Sequence, residues 1–157
     1  MPKLDLASIP ESSGSSYPAP FDEPCRGRFF QRLGDAGGLT RFGVNLVRLE
    51  PGAWSSQRHW HTHEDELVYM LEGELVLVTD AGETPMRPGD VATFKAGVRD
   101  GHHLQNRTGE DAVFLVVGTR DERDRCDYPD IDMVARSELE RGGFTRRDGT
   151  PYPRRQG

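Results

Sequence analysis

The sequence predicts an all-β protein, an antiparallel sandwich or barrel. Between residues 40 and 119 it breaks into about eight short stretches that read as strands, several with apolar residues at alternate positions. Gly, Pro and Asp residues separate these stretches at short intervals, and no amphipathic helical pattern interrupts them.

Taken in order, residues 1 to about 22 are rich in Ser and Pro and read as an extended arm. Gly34, Gly37 and Gly38 mark turns. In RFGVNLVRLE (41–50), Phe42, Val44 and Leu46 share one face, Asn45 and Val47 the other, and Pro51-Gly52 ends the strand. SSQRHWHTH (55–63) is the next strand. ELVYMLEGELVLVT (66–79) reads as two strands joined tightly at Glu72-Gly73. Turns at Asp80-Ala81-Gly82 and Pro88-Gly89-Asp90 lead to VATFKAG (91–97), and a loop at 97–101 leads to the short extended HHLQN (102–106). DAVFLVVGT (111–119) is the last strong strand. The following TRDERDRCD (119–127) carries too much charge for a core. Residues 132–141 fit a short helix stopped by Gly142-Gly143, and 144–157 read as a loosely held end. The expected organisation is an arm over 1–28, a barrel domain over 29–120 and a charged, irregular tail over 121–157.

A chain of 157 residues suits one domain whose core needs no disulfide staples. Lys and Arg number 20 against 26 Asp and Glu, and the resulting net charge of -6 argues against nucleic acid or an anionic membrane as the main partner. Cys25 and Cys126 lie in peripheral segments and form no Cys-x-x-Cys pair. The expectation is two reduced thiols in a cytoplasmic protein, the alternative a bond between the two flanks. The first twenty residues hold no apolar segment of signal-peptide length, and no run approaches a membrane span.

Histidines alternate in RHWHTHEDE, at His59, His61 and His63. Residues two apart on a strand point to the same face, so His59 and His61 present two imidazoles toward one point. Glu66 follows at the start of the next strand. Imidazole and carboxylate together suit a divalent transition metal such as Fe, Mn, Ni or Zn, and the donor types do not choose among them.

The stretch RHWHTHEDELVYMLEGE resembles the first motif of the cupin family, which runs Gly, His-x-His, Glu, Gly. Here the motif is filled by Gly52, His59-Trp60-His61, Glu66 and Gly73, with one extra residue between Gly52 and His59. The second motif, Gly, Pro-x-Gly, His, Asn, is matched by Gly89, Lys95-Ala96-Gly97, His102 and Asn106. Lys95 stands where Pro is usual, and the segment from Gly97 to His102 is longer than the pattern. The closing His-x-x-x-Asn selects His102 over His103. The flanks LGDAGGLTRFGVNLVRLEPGA and DYPDID are similar to a branch of small single-domain bacterial cupins. The resemblance implies a jelly-roll barrel, a double-stranded β-helix, and one metal ion held inside by His59, His61, Glu66 and His102. It also implies pairing of subunits as a homodimer.

Five further residues are pocket candidates. Gln57 and His63 share the parity of His59 and His61, Met70 and Phe94 are interior strand positions, and Arg99 lies in the loop before His102, where it would meet an acidic substrate. Glu64 and Asp65 read as solvated, and no side chain stands out as a general acid or base. The expected function is a metal-binding protein for a small-molecule ligand, either an enzyme of dioxygenase, isomerase or decarboxylase type acting on an oxygen-containing compound, or a non-catalytic binding or sensing module.

Overall fold

The computed structural model describes residues 3–136 and 143–153. Its first layer is a six-stranded antiparallel sheet in the order β1 (Glu11–Ser13), β2 (Arg28–Arg32), β3 (Phe42–Leu49), β10 (Ala112–Thr119), β5 (Glu66–Glu72) and β8 (Val91–Phe94). The opposing layer holds β7 (Gly82–Met86), β6 (Leu75–Thr79) and β9 (His103–Gln105), and beside them β4 (Trp60–His61), β11 (Arg125–Tyr128), β12 (Met133–Arg136) and β13 (Phe144–Thr145). Isolated bridges from Trp54 to Gln105 and from His59 to His102 tie these two groups together. One short helix, α1 (Leu33–Ala36), leads into β3.

Between the layers lies a core that includes Val47, Leu49, Met70, Leu75, Leu104 and Phe114, against which Phe94 and Val116 pack. Alternation along the strands puts these residues on one face, and their burial drives closure of the barrel. On β3 the inward face is that of Asn45, Val47 and Leu49, while Phe42 is exposed. Cross-strand register sorts the interior into rows. Phe30, Val47, Phe114 and Met70 form a closed apolar floor, Arg32, Asn45, Val116, Val68 and Ala92 the next row, and Gly43, Gly118, Glu66 and Phe94 the row at the mouth. Of the two glycines in the mouth row, Gly118 borders Glu66, whose Cγ would lie 3.8 Å from a Cβ there, and Gly43 lies against the Arg120 guanidinium.

The joint between β5 and β6 requires Gly73. Its φ of 74° lies in the left-handed region, and a Cβ there would meet the Asp111 carbonyl oxygen at 2.6 Å.

The flanks differ from their sequence expectation. Met133–Arg136 is a strand rather than the start of a helix, because it pairs with β11 on one side and β13 on the other. The rest of the expected helix, 137–141, lies outside the described residues. The charged stretch 119–127 does enter a core: Asp124 and Cys126 are buried, since β11 alternates charged and apolar side chains and turns Cys126 and Tyr128 inward. A second cluster joins Tyr17 and Cys25 from the arm to Cys126, Tyr128 and Met133. Both cysteines are free thiols, and burial pushes Cys25 up to about 11. Among the described residues no helix is long and apolar enough to cross a membrane.

Candidate metal centre

Four expected ligands are delivered by three strands. His59 and His61 come from β4 and the residue before it, Glu66 opens β5, and His102 precedes β9, held opposite His59 by reciprocal backbone hydrogen bonds. The Glu66 Oε2 atom lies 2.7 Å from His102 Nε2, 3.4 Å from His59 Nε2 and 3.4 Å from His61 Nε2. The donor atoms of His59, Glu66 and His102 all lie within 4.8 Å of one another. His61 belongs also to a second group with Glu64 and Asp124.

The outer nitrogens of two rings are already engaged. His59 Nδ1 donates to the Gln57 carbonyl at 2.9 Å, and His61 Nδ1 donates to Asp124 Oδ2 at 2.7 Å. Both bonds fix the tautomer that turns the Nε2 lone pair inward, as second-sphere carboxylates and carbonyls do at metal centres. His102 Nδ1 is buried beside the Asp100 carbonyl without closing a hydrogen bond of normal geometry. A cation on His102 Nε2 would leave the ring proton on Nδ1, facing that carbonyl. Donors held at about 2.1 Å from a common ion lie about 3 Å apart, near the separations measured around Glu66 Oε2. The donor set therefore fits a divalent metal ion.

Electrostatics follow from burial and mutual contact. Burial would raise the Glu66 carboxyl, but the hydrogen bond from His102 and the contacts and fields of His59 and His61 hold it well below the usual carboxylate range. Burial opposes charge on His61, yet the Asp124 hydrogen bond and the charges of Glu66, Asp124 and Glu64 raise it to about 8. Burial lowers His102 despite its bond to Glu66. Phe94 stacks flat on the His102 ring at 3.5 Å and fixes its plane.

The centre opens into a cavity of about 1360 Å³ between the layers. Of the five pocket candidates, Phe94 lines it. Gln57 is buried with its amide donating to the Phe21 carbonyl, which anchors the arm. His63 is exposed, its Nδ1 hydrogen-bonded to the Thr62 hydroxyl at 2.8 Å. Met70 is fully buried in the floor below the cavity. Arg99 stands outside it, its guanidinium 5.7 Å from the Trp60 ring. His103 points away from Glu66: it packs edge-on against Trp54 and bonds the Ser56 carbonyl.

Three cavity features were missed in the sequence. Glu64, expected to be solvated, is half-buried on the cavity wall, with Oε1 accepting from the Asp121 amide at 2.9 Å and Oε2 3.9 Å from His61 Nδ1. Burial raises its carboxyl against the pull of that amide, and the charges of Asp124 and Glu66 add to the rise. Asp124 sits in a segment dismissed as too charged. The basic residues of the wall include Arg28 and Arg32, not Arg99. Alternation in RGRFFQR (26–32), which puts Arg28, Phe30 and Arg32 on one face, was the available signal.

Residues 45–118 match the cupin domain family model. A sugar phosphate isomerase of the cupin superfamily from Silicibacter pomeroyi is 54% identical, with 97% of each chain covered and a TM-score of 0.90. A sugar phosphate isomerase candidate from Acidithiobacillus ferrooxidans is 36% identical over 68% of each chain, with a TM-score of 0.65. A polyketide cyclase from Streptomyces resistomycificus shares the fold at 19% identity, covering 77% of this chain and 80% of its own, with a TM-score of 0.60. No curated protein matches the sequence. The chain belongs to the cupin superfamily.

Proposed function

We propose that this protein is a metal-dependent isomerase that interconverts an aldose and a ketose carrying a phosphate. The reading rests on one observation above all: three imidazole nitrogens and a carboxylate gathered at the mouth of an open cavity, with Glu64 on the same wall, its Oε2 3.9 Å from His61 Nδ1. The 54% identity to a sugar phosphate isomerase supports the substrate class.

His59, His61, Glu66 and His102 would hold the ion, which supplies Lewis-acid polarisation of the sugar carbonyl and hydroxyl oxygens. Glu64 Oε2 takes the proton from the carbon next to the carbonyl and returns it to the former carbonyl carbon, while the proton of the neighbouring hydroxyl passes to the former carbonyl oxygen, so atoms balance and the exchange is redox-neutral. Asp121, by binding Oε1, orients that carboxylate. Asp124 holds His61 in its tautomer, and Phe94 and the floor residues exclude water from the buried side.

The test combines elemental analysis with NMR of aldose and ketose phosphates incubated with metal-loaded protein. Wild type is expected to carry about one equivalent of Fe, Mn, Ni or Zn, lost in His61→Ala with His102→Ala. Glu64→Gln should keep the metal and lose about 100-fold or more in turnover. Metal-loaded wild type that turns over none of the panel sinks the isomerase reading, and unchanged turnover in Glu64→Gln removes that residue from the chemistry.

A further inference from the structure

We propose that Arg28 and Arg32, with the Asn45 amide beside them, form an anion subsite at the far end of the cavity that seats the substrate's phosphate. The assignment rests on the isomerase reading for what the anion is attached to, and on the following geometry for where it binds.

Arg28 and Arg32 project from the inner face of β2, on either side of Phe30. Both guanidinium groups lie over the same ring, at 4.2 and 4.7 Å from its centre. Stacking on an aromatic face orients a guanidinium while leaving its N–H edge free to bind a bidentate anion. Arg28 gives one N–H to the Gly14 carbonyl at 3.2 Å, and Arg32 gives one to Ser12 Oγ at 3.3 Å. Among the described residues, no carboxylate lies within ion-pair distance of either. Arg120, on the same cavity wall, is by contrast bound to Asp35. Arg28 is half-buried and Arg32 exposed, so the cost of two like charges sharing one ring without a counter-ion falls on Arg28, and in a chain of net charge -6 their isolation from acids is selective. Burial and the like charge of Arg32 pull Arg28 below its usual value, opposed by Cys25 and Tyr17. A bound dianion reverses that penalty.

Register gives the span. Arg32 pairs with Asn45 on β3, Asn45 with Val116 on β10, and Val116 with Val68, two residues along β5 from Glu66. Three strand spacings, about 14 Å, therefore separate the Arg32 backbone from β5 before the side chains reach inward. An extended sugar phosphate fills such a gap with its carbonyl end at Glu66 and its phosphate at β2. The Asn45 side chain lies on that path with no hydrogen bond among the described residues. The small side chains of Val116 and Val68 leave the route open.

The experiment uses the metal-loaded full chain and calorimetric titration with glucitol 6-phosphate, glucitol and inorganic phosphate. Wild type should bind glucitol 6-phosphate at least about tenfold more tightly than glucitol. Arg32→Gln and the milder Arg28→Lys should weaken glucitol 6-phosphate about 10- to 100-fold and leave glucitol unchanged, with metal content and melting temperature preserved. Inorganic phosphate should compete in wild type and fail to compete in Arg32→Gln. Equal glucitol 6-phosphate affinity in wild type and both variants overturns the subsite, even if isomerase activity is found. Arginine-dependent binding without turnover of any sugar phosphate upholds the subsite and overturns the isomerase reading alone. If turnover is found, Arg32→Gln should raise KM and leave kcat within a few-fold, whereas a purely structural role would lower kcat and leave KM unchanged.

Discussion

The Asp124 carboxylate accepts from His61 Nδ1 at 2.7 Å with one oxygen and from the His63 amide at 2.8 Å with the other. It is buried, and its own value is drawn down, against the effect of burial, by those two bonds and by the charge of His61. A single side chain thus fixes a ring orientation and the backbone turn that follows it. Asp124→Asn removes the charge while keeping the shape. Metal affinity measured by competition with a chelating dye is expected to fall about 10- to 100-fold. An unchanged affinity would show that His61 needs no outer partner. His61, His59 and Glu66 were legible in the sequence because their spacing is local. Asp124 was not, because it reaches the centre from sixty-three residues downstream of His61 through pairing of β11 with β4.

At the scale of elements, the turns carry the shape. The glycine between β5 and β6 sits where a side chain would strike the Asp111 carbonyl and the Ala112 backbone. Gly73→Ala is therefore expected to destabilise the fold by at least about 2 kcal/mol, through left-handed strain and displacement of β10. Urea denaturation gives the value, and a loss below about 0.5 kcal/mol would mean that the turn relaxes. Eight strands run from β3 to β10, as alternation and turn residues predict, with β4 much shorter than the 55–63 run suggests. In that run only Trp60 and His61 join a strand ladder, with His59 in an isolated bridge to His102, because Arg58, Ser56 and Gln57 spend their hydrogen bonds on loops and on the arm. The strands of the flanks were illegible for a related reason. Their charged faces are satisfied by partners far away in the chain, such as Arg147 on Asp127 and Tyr152 on the Asp132 carbonyl, which no local window contains.

At the scale of the whole molecule, a charge cluster around Arg58 joins segments distant in the chain. Arg58 is nearly buried, donates to both oxygens of Asp130 at 2.8 and 2.7 Å, and also binds Asp80 and the Gly101 carbonyl. It thereby ties the loop before His102 to the segment after β11. The Arg58 hydrogen bond holds the Asp130 carboxyl below its usual value, outweighing the opposing effect of burial. A carboxyl depressed in the folded state stabilises above its unfolded value, near pH 4, and loses that contribution as pH falls through the folded value. Arg58→Gln should therefore flatten the acid side of the stability curve, so that wild type and variant differ at pH 7 and converge once pH has fallen below the depressed value of Asp130. Urea midpoints across that range decide the matter, and parallel curves would assign the cluster no role.

The chain holds two tryptophans, one of them between two of the expected ligands. Trp60 sits between His59 and His61 in the sequence, and Trp54 packs edge-on against His103. The protein thus carries its own optical reporter. Arrival of a paramagnetic ion such as Cu(II) or Co(II) should quench the intrinsic emission in a saturable, one-to-one manner, and replacing Trp60 by Phe should remove most of that signal without touching a ligand.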